Sequence, residues 1–341
     1  MKIDILCGSG SPQGIVYSDI FGQNGRIGVG GAELAMLTIA EGWMKRGHDV
    51  TIYNNPRKDD GILNQKPTSS FDKSSPRDVV IFFREPNSKV VDVTGLKVFW
   101  SCDQYTIGDF RHFSEFVDKV ITISPYHSEY FKLNYGIEKS ISIDLPVRTW
   151  EYTPTEKIKN RLIFTSVPDR GLEHVAQMFP VVKREIPDAT LTITSDYRLW
   201  GNYSPDNQSH VQRFLHMDGV SFLGGVTREV LVKEQLKSQI HFYPCSYEEM
   251  FCIACAENQV AGSLPITTVM GALGTTNMGV LINGKPGDPR FQNIMIETTV
   301  KYLQDEKLNL IQKELQQRAM ERFSLDRILD EWDRLIFEKN V

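Results

Sequence analysis

The sequence predicts an α/β protein of two doubly wound domains, each with a parallel sheet and helices on both faces. Short runs rich in β-branched and aromatic residues alternate with amphipathic helical patterns, which is the order that parallel sheets require. The length of 341 residues suits about two domains. A mixed-charge segment with prolines, residues 146–160, interrupts the alternation. We therefore expect one domain over residues 1–150 and a second over residues 151–323.

The first domain is predicted to contain six strands. They are expected at residues 3–7, 49–53, 79–83, 97–100, 119–123 and 140–144. Residues 31–46 form the clearest helix, because the apolar residues share one face and Gly47 follows. Ser124, followed by Pro125, is the expected cap of another helix. The polar segment 54–78 is expected to be an exposed insertion.

The second domain repeats the alternation. Strands are expected at residues 161–166, 190–194, 220–223, 240–243, 264–268 and 280–282. Helices are expected between them at residues 172–185, 228–237, 251–261 and 288–303. Residues 312–341 carry helical apolar spacing, with Phe323 and Ser324 before the last amphipathic stretch. The polar face of this last amphipathic stretch mixes acids and bases, which favours packing against the protein over binding to a membrane surface.

Composition excludes several classes of protein. Hydrophobic residues at 41% and charged residues at 24% are typical of a soluble globular chain. The net charge of −5 argues against a nucleic-acid surface. No apolar run approaches the ~18 residues of a membrane span, so we expect no transmembrane segment, and peripheral membrane contact stays open. The start of the chain reads as a strand and the 5 cysteines lack disulfide spacing, so we expect a cytoplasmic protein.

Glu249 and Glu257 are the acids around which the second domain is organised. Seven residues separate them, and the apolar run between them opens a helix. Eight helical residues rise about 12 Å and bring the two side chains to about 80° apart. Both carboxylates could then face one cleft, with Glu249 in the loop before the helix and phosphate at the helix start. Two solvated carboxylates on an ordinary amphipathic helix are the alternative.

Other motifs exclude common sites. The glycine-rich loop 9–29 leads into Gly30 and Gly31 at the start of a predicted helix. The sequence does not match a dinucleotide-binding fingerprint, because Gln13 and Glu33 stand where the third glycine would be. Cys252, Cys255 and Cys245 lack a fourth ligand at zinc spacing, and we interpret them as buried thiols. No Asp-x-Asp motif occurs, so no metal is predicted.

The stretch 244–266 resembles the donor-site signature of the retaining glycosyltransferases of family 4, which is Glu-x7-Glu with a following small-Gly-x-Pro turn. Phe251 matches the usual pattern, Cys252 replaces its glycine and Asn258 its alanine. The resemblance implies the GT-B architecture, in which two Rossmann-like doubly wound domains face each other across a cleft. It also implies a C-terminal helix over residues 324–341 that packs back on the N-terminal domain.

The resemblance assigns a role to each candidate residue. Glu249 would position the transferred sugar and Glu257 would bind the ribose, whereas Asp103 would contact the acceptor. Arg170 would clamp the diphosphate from the second basic position of a family segment whose first position is Ser166 or Val167 here, so one charge is lost. The further donor-binding residues would be Gly30, Gly31, Ser166, Gly224, Phe251, Cys252 and Ile253.

The implied function is retaining transfer of a hexose from a nucleoside-diphosphate sugar to a glycan or other hydroxyl acceptor, without metal or cofactor. Uridine is slightly favoured over guanosine as the donor base. The backbone of Gly30 and Gly31 would approach the diphosphate, and a flexible turn is the alternative there. A nucleotide-sugar epimerase on the same fold, or a noncatalytic nucleotide-sugar-binding homologue, stays open as the alternative function.

Overall fold

The computed structural model describes the chain except for residues 9, 11, 22–24, 26–27, 88–90, 106, 198–208 and 338–341. It divides into two compact units. Unit 1 comprises residues 1–25, 30–146 and 325–341, and unit 2 comprises residues 26–29 and 147–324. Within the described ranges, none of the helices has the length and apolar content that a bilayer crossing needs.

Strands and helices are numbered here along the chain. The strands are β1 Lys2–Cys7, β2 Asp49–Tyr53, β3 Asn64–Lys66, β4 Val79–Phe83, β5 Leu96–Trp100, β6 Lys119–Thr122, β7 Ser140–Ser142, β8 Arg161–Thr165, β9 Thr190–Thr194, β10 Val220–Phe222, β11 Ile240–Tyr243, β12 Leu264–Thr268 and β13 Val280–Ile282. The helices are α1 Ser18–Phe21, α2 Gly31–Lys45, α3 Phe110–Ser114, α4 Pro125–Tyr135, α5 Leu172–Glu185, α6 Ser209–Leu215, α7 Arg228–Lys237, α8 Ile253–Val260, α9 Leu273–Thr276, α10 Pro289–Gln304, α11 Leu308–Arg322 and α12 Leu325–Phe337.

Unit 1 is built on a parallel sheet. Its strand order, among the residues described, is β3-β2-β1-β4-β5-β6-β7. All five residues of β4 are buried, as expected for a central strand that is covered on both faces. Ser124 caps α4 by accepting a hydrogen bond from the His127 backbone N–H, as predicted. The six predicted strands are confirmed, with ends that shift by one or two residues.

The prediction for segment 54–78 was wrong in part. It contains β3, which pairs in parallel with β2 at the edge of the sheet. Asn64, Gln65 and Lys66 carry no apolar alternation, so the usual signal of a strand is missing. The strand is held instead by polar contacts, including a hydrogen bond of 2.8 Å from Gln65 Nε2 to the Ile15 carbonyl.

The C-terminal helix α12 belongs to unit 1 although its sequence follows unit 2. Trp332 is buried, and its ring lies 5.5 Å from that of Trp43 and 5.1 Å from that of Trp100. Asp333 accepts hydrogen bonds from Trp43 Nε1 at 3.1 Å and from Arg46 at 2.6 Å. An apolar face and a charged edge of α12 thus meet the end of α2.

Unit 2 contains a second parallel sheet, with the described strand order β10-β9-β8-β11-β12-β13. Its core includes Phe164, Phe179, Phe242 and Ile266, all fully buried. The four predicted helices and six predicted strands are confirmed, except that α8 begins at Ile253, two residues later than expected.

The strand order reverses at one place in each sheet. In unit 1 the neighbours there are β1 and β4, and in unit 2 they are β8 and β11. Loops that leave the carboxyl ends of two such strands turn to opposite faces of the sheet and leave a crevice, where ligands of doubly wound proteins bind. The segments after β8 and β11 are therefore the expected position of a ligand site in unit 2.

His241 gives the stability of the protein a predictable dependence on pH. The side chain is fully buried on β11, its ring stacks 5.1 Å from that of Tyr243, and neither ring nitrogen has a partner among the described residues. Burial lowers the pKa of His241 to about 3. An unfolded histidine has a pKa of about 6.5, so below that pH the unfolded chain binds a proton that the folded chain does not. We expect His241 to contribute a loss of up to about 1.4 kcal/mol of unfolding free energy per pH unit as the pH falls from 6.5 toward 4.

Urea unfolding of the wild type and of His241→Phe at pH 7, 6 and 5 measures this contribution. The variant should lose less unfolding free energy on acidification than the wild type. His216→Phe, at an exposed histidine, is the control and should follow the wild type. Equal slopes for His241→Phe and the wild type would show that His241 is protonated in the folded protein.

Candidate functional site

The loops after β8 and β11 bring Arg170 and Glu249 together. Ser166 follows β8, and a single 3-10 turn, Pro168–Arg170, carries the arginine before α5 begins. Gly171 ends this turn with φ +106°, and a Cβ at this position would collide with the backbone carbonyl of Pro244 in the β11 loop. Glycine is therefore required for both the backbone conformation and the close approach of the two loops.

Arg170 forms an ion pair with the carboxylate of Glu249. Its guanidinium also lies 3.9 Å from the centre of the Tyr247 ring, at a distance typical of a cation–π contact. Burial disfavours the charge, but Glu249 and Tyr243 hold the pKa of Arg170 above its usual value. The side chain is 18% exposed, and its Nε atom has no partner among the described residues. Arg170 is therefore a fixed and partly exposed positive charge at the carboxyl edge of the sheet.

Glu249 is held through both oxygens and through its backbone. Tyr243 donates a hydrogen bond of 2.8 Å to Oε1, while Oε2 faces Arg170. The Tyr243 hydroxyl also lies 3.3 Å from Ser166 Oγ, so Ser166 is part of the same cluster. The Ala272 N–H donates to the backbone carbonyl of Glu249 at 2.7 Å, where the glycine-rich loop after β12 lies against the Glu249 backbone. The orientation of Glu249 is thus set by three separate segments.

The first turn of α8 lies between the two acids of the motif. Cys252 precedes the helix and provides no side-chain cap, and Ile253 is the half-buried first helical residue. Phe251 is buried edge-on against Phe323, with ring centres 5.9 Å apart, and both residues belong to unit 2. A helix start without a side-chain cap leaves backbone N–H groups for an anion.

Cys252 adopts a left-handed backbone conformation, with φ 71° and ψ 75°. Glycine adopts this conformation at no steric cost, whereas a residue with a Cβ, such as Cys252, is strained in it. We expect Cys252→Gly to be more stable than Cys252→Ala by about 1 kcal/mol, since both remove the sulfur but only glycine relieves the strain. Urea unfolding of the two variants measures the difference. A more stable alanine variant would contradict the assigned backbone strain.

Glu257 lies inside α8 and belongs to a second buried charge cluster. Arg228, the first residue of α7, donates from Nη1 to Glu257 Oε1 at 2.6 Å and from Nε to Glu151 Oε2 at 2.6 Å. Gln235 Nε2 lies 3.4 Å from Glu257 Oε2, and the Tyr152 hydroxyl donates to Gln235 Oε1 at 2.9 Å. The side chains of Arg228 and Glu257 are 9% and 5% exposed. Burial disfavours the charge of Arg228, yet Glu257 keeps its pKa above the usual value.

Gly224 follows β10 in a left-handed conformation, with φ +65°. Asp196, which follows the neighbouring strand β9, accepts a hydrogen bond of 3.2 Å from the Gly225 N–H. Gly224 therefore lies at the same carboxyl edge of the sheet as Ser166 and Arg170.

The candidate residues of unit 1 surround Arg84, at the carboxyl end of β4. Asp103 accepts two hydrogen bonds from this guanidinium, at 2.7 and 2.6 Å, and Glu33 of α2 forms an ion pair with it. Burial disfavours the charge of Arg84, but Asp103 and Glu33 hold its pKa above the usual value. Gly30 precedes α2 and gives it no side-chain cap, and Gly31 is its first residue. Unit 1 thus carries its own polar cluster at the place where its strand order reverses.

Sequence reasoning missed Arg84, Arg228 and Tyr243. Arg84 follows a strand, Tyr243 ends a strand and Arg228 begins a helix. Each of the three places its polar group beside one of the predicted acidic residues. Arg84 directly follows a predicted strand, which is a usable signal for an edge position. Nothing near Arg228 in the sequence connects it with Glu257, which lies 29 positions away.

No family model matches the chain, and no curated protein matches it in sequence. Solved structures do match over nearly its whole length. A glycosyltransferase from Rickettsia africae is 14% identical with a TM-score of 0.72, and the match covers 99% of both chains. A sucrose-phosphate synthase from Thermosynechococcus elongatus is 13% identical with a TM-score of 0.75 and the same coverage.

The third structure is HepE from Anabaena in complex with UDP and glucose. It is 15% identical with a TM-score of 0.69, over 99% of this chain and 100% of that chain. At such identities the likeness concerns the fold. Together with the two parallel sheets and their strand orders, it shows that this chain has the GT-B fold of two Rossmann-like domains.

Proposed function

We propose that the protein is a glycosyltransferase that takes a sugar from a nucleoside-diphosphate donor bound to unit 2. The observation that carries the proposal is the Arg170–Glu249 pair, between the carboxyl ends of β8 and β11 and beside the uncapped start of α8. A guanidinium and free backbone N–H groups suit a diphosphate. A carboxylate next to them suits the hydroxyls of the sugar that the diphosphate carries.

In the proposed reaction the bond between the sugar C1 and the diphosphate oxygen breaks, and a bond from C1 to the acceptor oxygen forms. Negative charge develops on the leaving diphosphate, where Arg170 and the first N–H groups of α8 stabilise it. The acceptor attacks from the face that the diphosphate leaves, so the anomeric configuration is retained, and its proton passes to a phosphate oxygen. Because these groups supply the positive charge, the proposal includes no metal ion or cofactor.

Glu257 is proposed to bind the ribose diol, and Glu249 to orient the transferred hexose. A carboxylate oxygen can accept more than one hydrogen bond, so both acids can keep their present partners and accept from ligand hydroxyls. Gly224 and Ser166, at the same edge of the sheet, line the donor site. In unit 1, Asp103 contacts a glycan or other hydroxyl acceptor. A uridine donor is favoured because HepE was crystallised with UDP and with UDP-glucose. We further propose that the protein acts in the cytoplasm.

The test is incubation with uridine, guanosine and adenosine diphosphate sugars, with and without a panel of hydroxyl acceptors. We expect one donor to release its nucleoside diphosphate in an acceptor-dependent way, and NMR of the product to show the anomeric configuration of the donor. An isomerised donor without acceptor would instead identify an epimerase. Tight donor binding without transfer to any acceptor would identify a noncatalytic binding protein. An inverted product would exclude the retaining mechanism.

A further inference from the structure

We infer that Arg228, supported by Glu151, is a positioning residue that prepares Glu257 to bind the ribose diol of the donor. The inference rests on the proposed function of unit 2 and adds to it a residue that sets recognition of the ribose. Arg228 bridges two carboxylates with separate nitrogens, Nη1 to Glu257 and Nε to Glu151, both at 2.6 Å. Such a bridge fixes the guanidinium from two sides.

Burial makes this bridge necessary for Glu257. Its side chain is only 5% exposed, and burying a carboxylate is costly unless a cation pairs with it. Arg228 provides that cation at Glu257 Oε1. A ribose diol presents two donors, and a carboxylate has acceptor sites on both oxygens. The Arg228 contact therefore fixes Glu257 in one orientation, in which it can accept from both ribose hydroxyls.

Glu151 holds Arg228 in place from the segment with which the second part of unit 2 begins. Its second oxygen accepts from Arg148 Nε at 2.6 Å, and Arg148 directly precedes the turn Thr149–Glu151 that ends in Glu151. The cluster thus contains two arginines and two glutamates, so its formal charges balance. Without Glu151, the Arg228 guanidinium would lose one of its two fixed contacts and Glu257 would lose its defined orientation.

The Tyr152 hydroxyl is a third neighbour of the Arg228 guanidinium. It donates to Gln235 Oε1 at 2.9 Å, and the Gln235 amide lies 3.4 Å from Glu257 Oε2. Arg228 Nη2 is itself buried. The guanidinium is therefore enclosed by Glu257, Glu151 and Tyr152, which restricts its movement.

The experiment compares binding of a nucleoside diphosphate with binding of its 2′,3′-dideoxy analogue by calorimetry. The nucleoside diphosphate is the one that the wild type binds most tightly. We expect the wild type to prefer the ribose form by about tenfold or more, since hydrogen bonds to a charged group are being compared with none. Arg228→Gln should reduce this preference to less than about threefold. In transfer assays KM for the donor should rise by about the factor by which the ribose preference falls, while kcat changes little.

Arg161→Gln is the matched control. Arg161 also forms a partly buried ion pair with a residue of α7, Glu234, and no contact with Glu257 is seen. This variant should retain the ribose preference of the wild type. Glu151→Gln should reduce the preference less than Arg228→Gln does, and it provides a second readout if Arg228→Gln folds poorly. Arg228→Lys keeps the charge without the bridge and should fall between the wild type and Arg228→Gln.

The outcomes separate this inference from the proposed function. The inference is overturned if Arg228→Gln and Glu151→Gln weaken binding of the nucleoside diphosphate and of its dideoxy analogue by the same factor. Arg228 would then act on the base, on the phosphates or on folding alone. The donor site would stand in that case. Failure of the wild type to bind any nucleoside diphosphate would overturn the proposed function, and the inference with it.

Discussion

Replacing Glu249 with glutamine should lower kcat for sugar transfer by about 10²–10³-fold, the loss typical of removing one charged or hydrogen-bonding group from a transition state. The substitution preserves the shape of the side chain and the acceptor for Tyr243, which donates at 2.8 Å. It removes the negative charge that pairs with Arg170 and that we propose to orient the sugar hydroxyls. Steady-state kinetics with saturating donor measures the change. A variant that retains the wild-type kcat would contradict the placement of Glu249 on the sugar.

A loss of folding is the competing cause of such a result, and a double variant separates the two. Glu249→Gln leaves the positive charge of Arg170 without its partner, and breaking a buried ion pair costs about 3–5 kcal/mol. Because the Arg170 side chain is 18% exposed, we expect a loss below this range. Glu249→Gln with Arg170→Gln removes both charges and should recover most of the stability while staying inactive. Recovery of activity together with stability would assign the pair a structural role alone.

Replacing Trp332 with alanine should reduce the free energy of unfolding by about 3–5 kcal/mol, the range for a buried tryptophan. The side chain is 1% exposed and contacts two further tryptophans edge-on, at ring distances of 5.5 Å and 5.1 Å. Its loss would leave a cavity between α12, the end of α2 and β5. Urea unfolding followed by tryptophan fluorescence and by circular dichroism measures the change.

Trp150→Ala is the control for this substitution. Trp150 is 49% exposed, so its removal leaves no closed cavity, and its contact with the Arg148 guanidinium at 4.6 Å is among those lost. Because the Trp150 ring is half exposed, we expect a cost of about 1 kcal/mol, well below that of Trp332→Ala. Equal costs for the two variants would contradict the packing of α12 on unit 1 as an integral part of its core.

The strands and helices of both sheets were predictable because their signals are local. A central strand such as β4 is five apolar residues in a row, and α5 repeats its apolar face every turn. The edge strand β3 was missed because it has polar residues on both faces and pairs with only one neighbour. The periodicity of apolar residues indicates which side chains are buried, and a polar strand at a sheet edge buries few apolar side chains.

The candidate site was predictable in part. Glu249, Glu257 and Arg170 stand out through spacing and resemblance, but their partners do not. Arg228 lies 29 positions from Glu257 and 77 from Glu151, so no short motif contains the cluster. Only the fold brings the start of α7 next to the middle of α8. The backbone strain at Cys252 is equally invisible in the sequence, because a cysteine does not normally mark a left-handed residue.

Calorimetric titration of uridine, guanosine and adenosine diphosphates into the wild-type protein tests the central claim most directly. The claim is that Arg170, the start of α8 and Glu257 together form a nucleotide site in unit 2. It predicts saturable binding of one of these diphosphates per chain, weaker binding of the matching nucleoside, and further weakening by Arg170→Gln. If none of the three diphosphates binds at millimolar concentration, or if Arg170→Gln binds as tightly as the wild type, the claim is wrong.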